Sequence, residues 1–324
     1  MKTYLPYSLI LAAAASGMAS GAETAYTTPV GYITSTIGPN RSGSSAGAAT
    51  FIGAALVQPA TFAGAASGTV SPSGGTVITF TGGVPTGLGI SSMLEITSAI
   101  QKGWWTSIAS STATTITVTD VLPAGLPANL QISVRNFSTI QNVFGNNSPG
   151  LTVYGTGPYD EIQLLKPDIQ EVSVIVYAGG GWVNLATELP ANNEIIYPGT
   201  AVKVIHRANT SLSVVTSGEV KTTPTQVDIF PKDNWFAQPN PTNQTFGNLN
   251  LGPQIGPTDS VDVIQTDGGS GQVVTTYVSS SGVMYNLATE ADATPIDVKS
   301  AEGFLLKRVG AANTLTLPVQ VVAP

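Results

Sequence analysis

The sequence predicts an all-β protein made of two repeated β-sandwich or barrel-like modules, with a small β-barrel domain inserted in the first. Three observations predict it. Apolar residues recur with a period of two, glycine-rich turn signals separate the runs, and short motifs recur at a fixed spacing. At 324 residues the chain spans about two ordinary domain lengths, and 42% hydrophobic against 10% charged residues is too apolar for disorder.

Alternation is clearest in Thr115-Ile116-Thr117-Val118-Thr119 and in Thr314 to Val321, where Leu315, Leu317, Val319 and Val321 share one face. Both are expected to be half-buried strands. Pro318 has no N–H for a ladder, so the last strand is expected at an edge or bulged there. Ser73-Gly74-Gly75, Thr81-Gly82-Gly83, Ala178-Gly179-Gly180-Gly181, Asp267-Gly268-Gly269 and Ser281-Gly282 supply residues for tight turns. Helical periodicity is nearly absent. Its nearest approaches, 93–102 and 300–307, are short and rich in β-branched residues or glycine.

Three motifs recur 102 residues apart: Phe144-Gly145-Asn146 at Phe246, Ile162-Gln163 at Ile264, and Asn184-Leu185-Ala186-Thr187-Glu188 at Asn286. Ala208-Asn209-Thr210 pairs with Ala312-Asn313-Thr314 after a two-residue insertion, Thr27-Thr28-Pro29 with Thr222-Thr223-Pro224, and Gln58-Pro59 with Gln238-Pro239. These place a first module over 23–62 and 137–220 and its repeat over 221–324. The excess of the first copy, 63–136, carries its own strand patterns around Val77 to Phe80, Trp104 to Ala109, Thr114 to Asp120 and Leu130 to Arg135. It is expected to be an inserted small β-domain, because a surface loop tolerates insertion where a strand does not.

The stretch Tyr26-Thr27-Thr28-Pro29-Val30-Gly31-Tyr32, the Phe51-Ile52-Gly53 segment with Gln58-Pro59, the pattern around Trp182 before Asn184, and the closing Ala312-Asn313-Thr314 strand together carry a resemblance. The chain resembles an exported β-rich family of uncharacterised function from Verrucomicrobia-type bacteria whose mature proteins begin TTPVGY. A Trp-Arg-Lys triplet usual in that family is replaced here by Trp182-Val183-Asn184 and by Met284-Tyr285-Asn286. The resemblance implies export and β structure, and it supplies no catalytic residues.

Met1 to Ala22 reads as a cleaved signal peptide: Lys2, an apolar run from Leu9 to Ala15, and the small residues Ala19-Ser20-Gly21-Ala22. That run is too short to span a bilayer, and no later segment is long and apolar enough to be a transmembrane helix. The expected location is the periplasm, the cell surface or the exterior. Without Lys2 the balance is 11 basic against 19 acidic residues, a net of −8, which argues against nucleic acid or an anionic membrane as partner. Zero cysteines exclude disulfides and thiolate metal sites, and a single histidine, His206, excludes multi-histidine ones. No cofactor or metal is expected.

Gly43-Ser44-Ser45-Ala46-Gly47 fits G-x-S-x-G, and the order Ser45, Asp160 or Asp168, His206 follows that of an α/β-hydrolase. No buried strand leads into the motif and no helix follows, so it is read as a low-complexity loop. His206, on the opposite face of its strand from Ile205, is expected to be exposed. Paired carboxylates for glycoside hydrolysis are sought in Asp160 with Glu161, Asp259 with Asp262, and Glu188 or Glu290. Asp160 and Glu161 are neighbours on a strand and face opposite ways, Asp259 and Asp262 match no calcium loop, and the two glutamates belong to the repeat. No catalytic residue is assigned. The candidate ligand-binding residues are Trp104 and Trp105, adjacent on a strand, so that one ring enters the insert's core and the other faces outward as a stacking platform unless the host module covers it. Trp182 and Trp235 are expected in cores, and Pro239 to Gln244 is a polar loop, either a contact surface or an ordinary connection. The function expected is a non-catalytic structural or adhesive one, with a glycan or cell-surface protein as partner. The alternative is a secreted polysaccharide-active hydrolase or carbohydrate-binding protein.

Overall fold

The computed structural model describes residues 30–320 except 42, 44, 71–75, 125, 128, 147–149 and 267–271. The expected leader, Thr27-Thr28-Pro29 and the turns at Ser73 and Asp267 lie outside the described residues. Strands hold 49% of the described residues and helices 3%, so the fold is all-β. The segments 93–102 and 300–307 form strand over 93–96 and 303–307 and turns elsewhere rather than helices, because their β-branched and alternating residues suit a pleated surface better than a helical one.

Two five-stranded antiparallel sheets share one strand order. In the first, β14 (Trp182–Asn184), β13 (Glu171–Tyr177), β12 (Glu161–Lys166), β16 (Ala201–His206) and β2 (Ala48–Gly53) lie side by side. The second runs β23 (Val283–Asn286), β22 (Gln272–Ser280), β21 (Ser260–Thr266), β25 (Gly303–Arg308) and β19 (Lys232–Ala237). Each is accompanied by a two-stranded pair leading into a helical turn. These are β11 (Ser138–Thr139) with β15 (Ile195–Ile196) before α1 (Ile140–Phe144), and β20 (Gln244–Thr245) with β24 (Asp297–Val298) before α2 (Phe246–Leu249). Each also has a smaller sheet packed on it: β1 (Val30–Ile37), β17 (Leu212–Val220) and β3 (Leu56–Val57) in one, β18 (Thr225–Ile229) and β26 (Asn313–Leu317) in the other. Separate cores fill the two, around Ile162, Ile175, Trp182 and Val204 and around Val261, Phe236, Met284 and Leu306. Strand β26 stops at Leu317, immediately before Pro318, as a residue without an N–H requires.

Strand pairing fixes which residues correspond. Ile162 pairs with Val204 and Ile175, and Val261 pairs with Leu306 and Tyr277, so the counterpart of Ile162 is Val261 rather than Ile264. The caps correct a second match. Thr139 and Thr245 each accept from the backbone N–H three residues on, at Asn142 and Asn248, which makes Ile140 and not Phe144 the counterpart of Phe246. Gln238 follows β19 directly while Gln58-Pro59 follows β3, so that pair does not correspond either. The third motif holds atom for atom. Asn184 Oδ1 accepts from Ala186 and Thr187 N–H at 3.0 and 3.2 Å, and Asn286 Oδ1 from Ala288 and Thr289 at 2.9 and 3.1 Å. Glu188 and Glu290, at φ 58° and 56°, are the left-handed residues that close these two turns.

Seven strands between Ala60 and Asn136 form one further sheet with a core of its own, including Ile78, Leu94, Ile108, Ile116 and Val134. Its order is β4 (Ala60–Ala65), β10 (Gln131–Asn136), β7 (Ser92–Ile96), β8 (Trp105–Ser111), β9 (Thr115–Val118), β6 (Thr76–Thr79) and β5 (Gly68–Val70). Among the described residues no sheet is closed into a barrel, which corrects the barrel expectation. The reason is local. The chain crosses from one edge of the sheet to the other at Ala66-Ser67, where Ala66 N–H bonds Leu130 O at 2.9 Å and Ser67 N–H bonds Thr79 O at 2.8 Å. The edges are tied by chain instead of by a ladder.

The two five-stranded sheets meet through matching contacts. Gly53 N–H donates to Ala301 O and Ala237 N–H to Gly199 O, both at 2.8 Å, and isolated bridges join Ile52 to Glu302 and Phe236 to Thr200. Gly53 pairs with Ala201 as Ala237 pairs with Gly303, so Phe51 and Trp235 are counterparts, and their rings meet edge-on at 5.3 Å. A Cβ on Gly303 would lie 2.8 Å from that of Ala201 and one on Gly53 would overlap Ala237. Counterpart touching counterpart is the signature of an isologous interface.

Candidate functional site

Four of the candidate carboxylates, Asp160, Glu161, Asp259 and Asp262, are bound to cations. His206 is 1% exposed, which corrects its expected exposure, because β16 is covered on the face that carries it. Its Nδ1 lies 3.0 Å from Asp160 Oδ2 and its Nε2 2.9 Å from Thr210 O. A carbonyl and an ionised carboxylate only accept, so both ring nitrogens donate and the ring is an imidazolium. Burial pushes the Asp160 carboxyl up, but hydrogen bonds from His206, Thr152 N–H and Arg207 N–H outweigh it and hold the group below its ordinary value. The Asp160 hydrogen bond in turn raises His206 against the opposing effect of burial.

Asp160 and His206 are placed like the Asp–His half of a hydrolase triad. A catalytic histidine needs a free Nε2 lone pair facing the nucleophile. Here Nε2 is bonded to Thr210, and Ser45 enters the neighbourhood through its carbonyl, which accepts from Arg207 Nε at 3.1 Å. Glu161, on the other face of its strand as alternation predicts, binds Arg207 at 2.6 Å. Asp259 is paired with Arg308 and Asp262 with Lys307, each at 2.7 Å. Glu188 and Glu290 sit on exposed turns in separate modules.

The insert is clamped to its host by a buried charged cluster that the sequence reading did not find. Lys221 Nζ lies 2.6 Å from Glu95 Oε1, and both side chains are almost fully buried. Thr223 also donates to Glu95, and Arg135 reaches Glu219 at 2.9 Å and Gln58 O at 2.8 Å. The cluster joins β7 and β10 to the segment linking β17 to β18. Burial pulls the Lys221 ammonium down, with the Glu95 charge working against it. A charged residue at alternate positions of otherwise apolar strands, Glu95 among Met93, Leu94 and Ile96, was the available signal.

The two candidate ligand-binding residues lie at the same junction. Trp104 packs, partly buried, on the insert's core, as one of the pair was expected to. Trp105 faces outward but is covered by the host. Its ring stacks on Tyr197 at 5.7 Å and meets Phe137 edge-on, and its Nε1 donates to Gln226 O at 2.8 Å. Trp105 therefore ties the seven-stranded sheet to β18 and to Tyr197, and the face of its ring on Tyr197 is covered. Trp182 and Trp235 are core residues as expected, and in the Pro239 to Gln244 loop Asn240 is buried, bonding Pro318 O and Gln320 N–H.

An open cleft of about 310 Å³ runs between the modules, along β1. Thr34, Thr36, Thr50, Lys299, Ile52 and Ile264 are among the residues that line it. Among the described residues no cluster of three or more acidic or histidine side chains has a metal-holding arrangement, and no helix is long and apolar enough to cross a membrane. Compared with known protein families, curated proteins and solved structures, the chain matches none.

Proposed function

We propose that this is an exported, non-catalytic structural or adhesive protein of the bacterial cell envelope or exterior, whose partner is a glycan or a cell-surface protein. The observation that supports it most is the engagement of His206 on both ring nitrogens, with every nearby carboxylate bound to a cation. A general acid needs a raised pKa, whereas Asp160 is held low. The leader-like start and the TTPVGY resemblance support export. The division of labour proposed is two modules forming a rigid body, with the 60–136 sheet locked on as a third unit.

Purified protein tested on ester and polysaccharide panels is expected to release no product, and Ser45→Ala is expected to leave binding unchanged. Turnover abolished by Ser45→Ala or His206→Ala would refute the reading in favour of a hydrolase. Cell fractionation with immunogold labelling should place the native protein outside the cytoplasm.

A further inference from the structure

The two modules present equivalent strand edges, and only one is covered. The anchors His206 Nε2 to Thr210 O and Arg308 Nε to Ala311 O align β17 with β26, three residues out of register with the match of Ala208-Asn209-Thr210 to Ala312-Asn313-Thr314, which does not hold. Thr34 then pairs with Val215 as Gln226 pairs with Thr316, and the inward residues Ile33, Ser35 and Ile37 correspond to Thr225, Val227 and Ile229. Gln226 is the counterpart of Thr34. Its backbone is capped by the insert: its N–H donates to Gly103 O at 3.4 Å, and its carbonyl accepts from Trp105 Nε1 at 2.8 Å. Gly103 comes so close that a Cβ there would lie 2.4 Å from Pro224 O, so this approach admits only glycine.

At Thr34 the same edge borders the open cleft. Among the described residues β1 has no neighbour beyond β17, and every second residue of a strand turns its N–H and C=O away from its one partner. Lys299 lines this cleft at the position that Tyr197 occupies beneath Trp105. A cation beneath an indole face offers a cation–π contact where the other module offers ring on ring. We propose that the cleft along β1 is a strand-acceptor site for an extended Gly-x-Trp peptide segment of another protein, docked as Gly103–Trp105 docks on β18. Glycine permits the close approach, the indole N–H satisfies the edge carbonyl, and strand addition supplies main-chain bonds. The inference does not rest on the proposed function, since a catalytic protein can carry such a site equally well.

The test uses the full chain and a synthetic peptide copying residues 101–107, Gln-Lys-Gly-Trp-Trp-Thr-Ser. Hydrogen exchange should show slowed amides within β1 on adding peptide. Replacing the peptide's second Trp by Ala should weaken binding about tenfold or more, equivalent to about 1.4 kcal/mol. Thr34→Pro in the protein should abolish the protection, and Lys299→Ala, which leaves the strand intact, should weaken binding severalfold even if the proline variant fails to fold. Unchanged β1 exchange at millimolar peptide would overturn the proposal. So would equal binding by the Ala peptide, or protection confined to the β18 junction through displacement of the insert.

Discussion

The two modules close the same corner with different cations. In the first, Asp160 accepts from Thr152 and Arg207 N–H and is paired with His206; in the second, Asp259 accepts from Gly256 and Val309 N–H and is paired with Arg308. Each cation also donates to a nearby carbonyl, Thr210 O or Ala311 O. The geometry is conserved between the copies while the proton affinity is not. An arginine keeps its charge at any pH the protein meets, but an imidazolium can lose its proton within the physiological range. One module is thus held by a permanent ion pair and the other by a titratable one.

The largest effect expected is from breaking either pair near pH 6. Arg308→Met strands Asp259 without its cation in a site where its carboxylate is 1% exposed, a change worth about 3–5 kcal/mol. His206→Met strands Asp160 in the same way and should cost a similar amount at that pH. Chemical denaturation of the two variants beside the wild type measures both. Losses below about 1 kcal/mol would mean that the backbone N–H bonds alone hold the aspartates.

Raising the pH should then separate the modules. His206 is held above its ordinary value, so its contribution is complete below about 6.5 and fades as pH climbs through the raised folded value. Asp160 is held below its ordinary value, so its contribution is present above about 3.9 and is lost as pH falls through the lowered one. The first module is accordingly most stable in mildly acid solution. Wild-type melting should decline on the alkaline side, and the decline should vanish in His206→Met but persist in Arg308→Met. A wild-type curve flat from pH 6 to 10 would show that the imidazolium adds nothing.

The same comparison shows what could be read from the sequence. Strand alternation at 115–119 and 314–317 was legible because each strand has one buried face, with Ile116, Val118, Leu315 and Leu317 inside. The shared architecture was legible only in outline. Asn184-Leu185-Ala186-Thr187-Glu188 keeps its register because an Asn side chain and a left-handed residue are both needed to close that turn. The Phe144 and Ile162 matches failed because the helical turn and the β12 strand shift by a few residues while burying different side chains in equivalent places. His206 was misread for a related reason. Alternation places a side chain on a face, but whether a second layer covers that face depends here on the loop before β17, which carries Thr210, and on Asp160 before β12, which meet His206 only in three dimensions. The Trp105 Nε1 bond and the Lys221 cluster were hidden likewise, since Gln226 O lies 121 residues from Trp105 and Thr223 lies 128 residues from Glu95.

The smallest effect tests the correspondence of the modules most directly. Asn184 and Asn286 each accept two turn N–H bonds through Oδ1, and their carbonyls each accept from the left-handed glutamate. Removing either side-chain amide frees two exposed N–H groups that water can satisfy, so Asn184→Ala and Asn286→Ala should each cost about 1 kcal/mol. If the two turns are equivalent, the costs should agree within about 0.5 kcal/mol and add in the double variant, because the sites share no partner. Equilibrium unfolding of the two single variants and the double measures this. A loss in one module only would show that the matched hydrogen bonds conceal different local energetics.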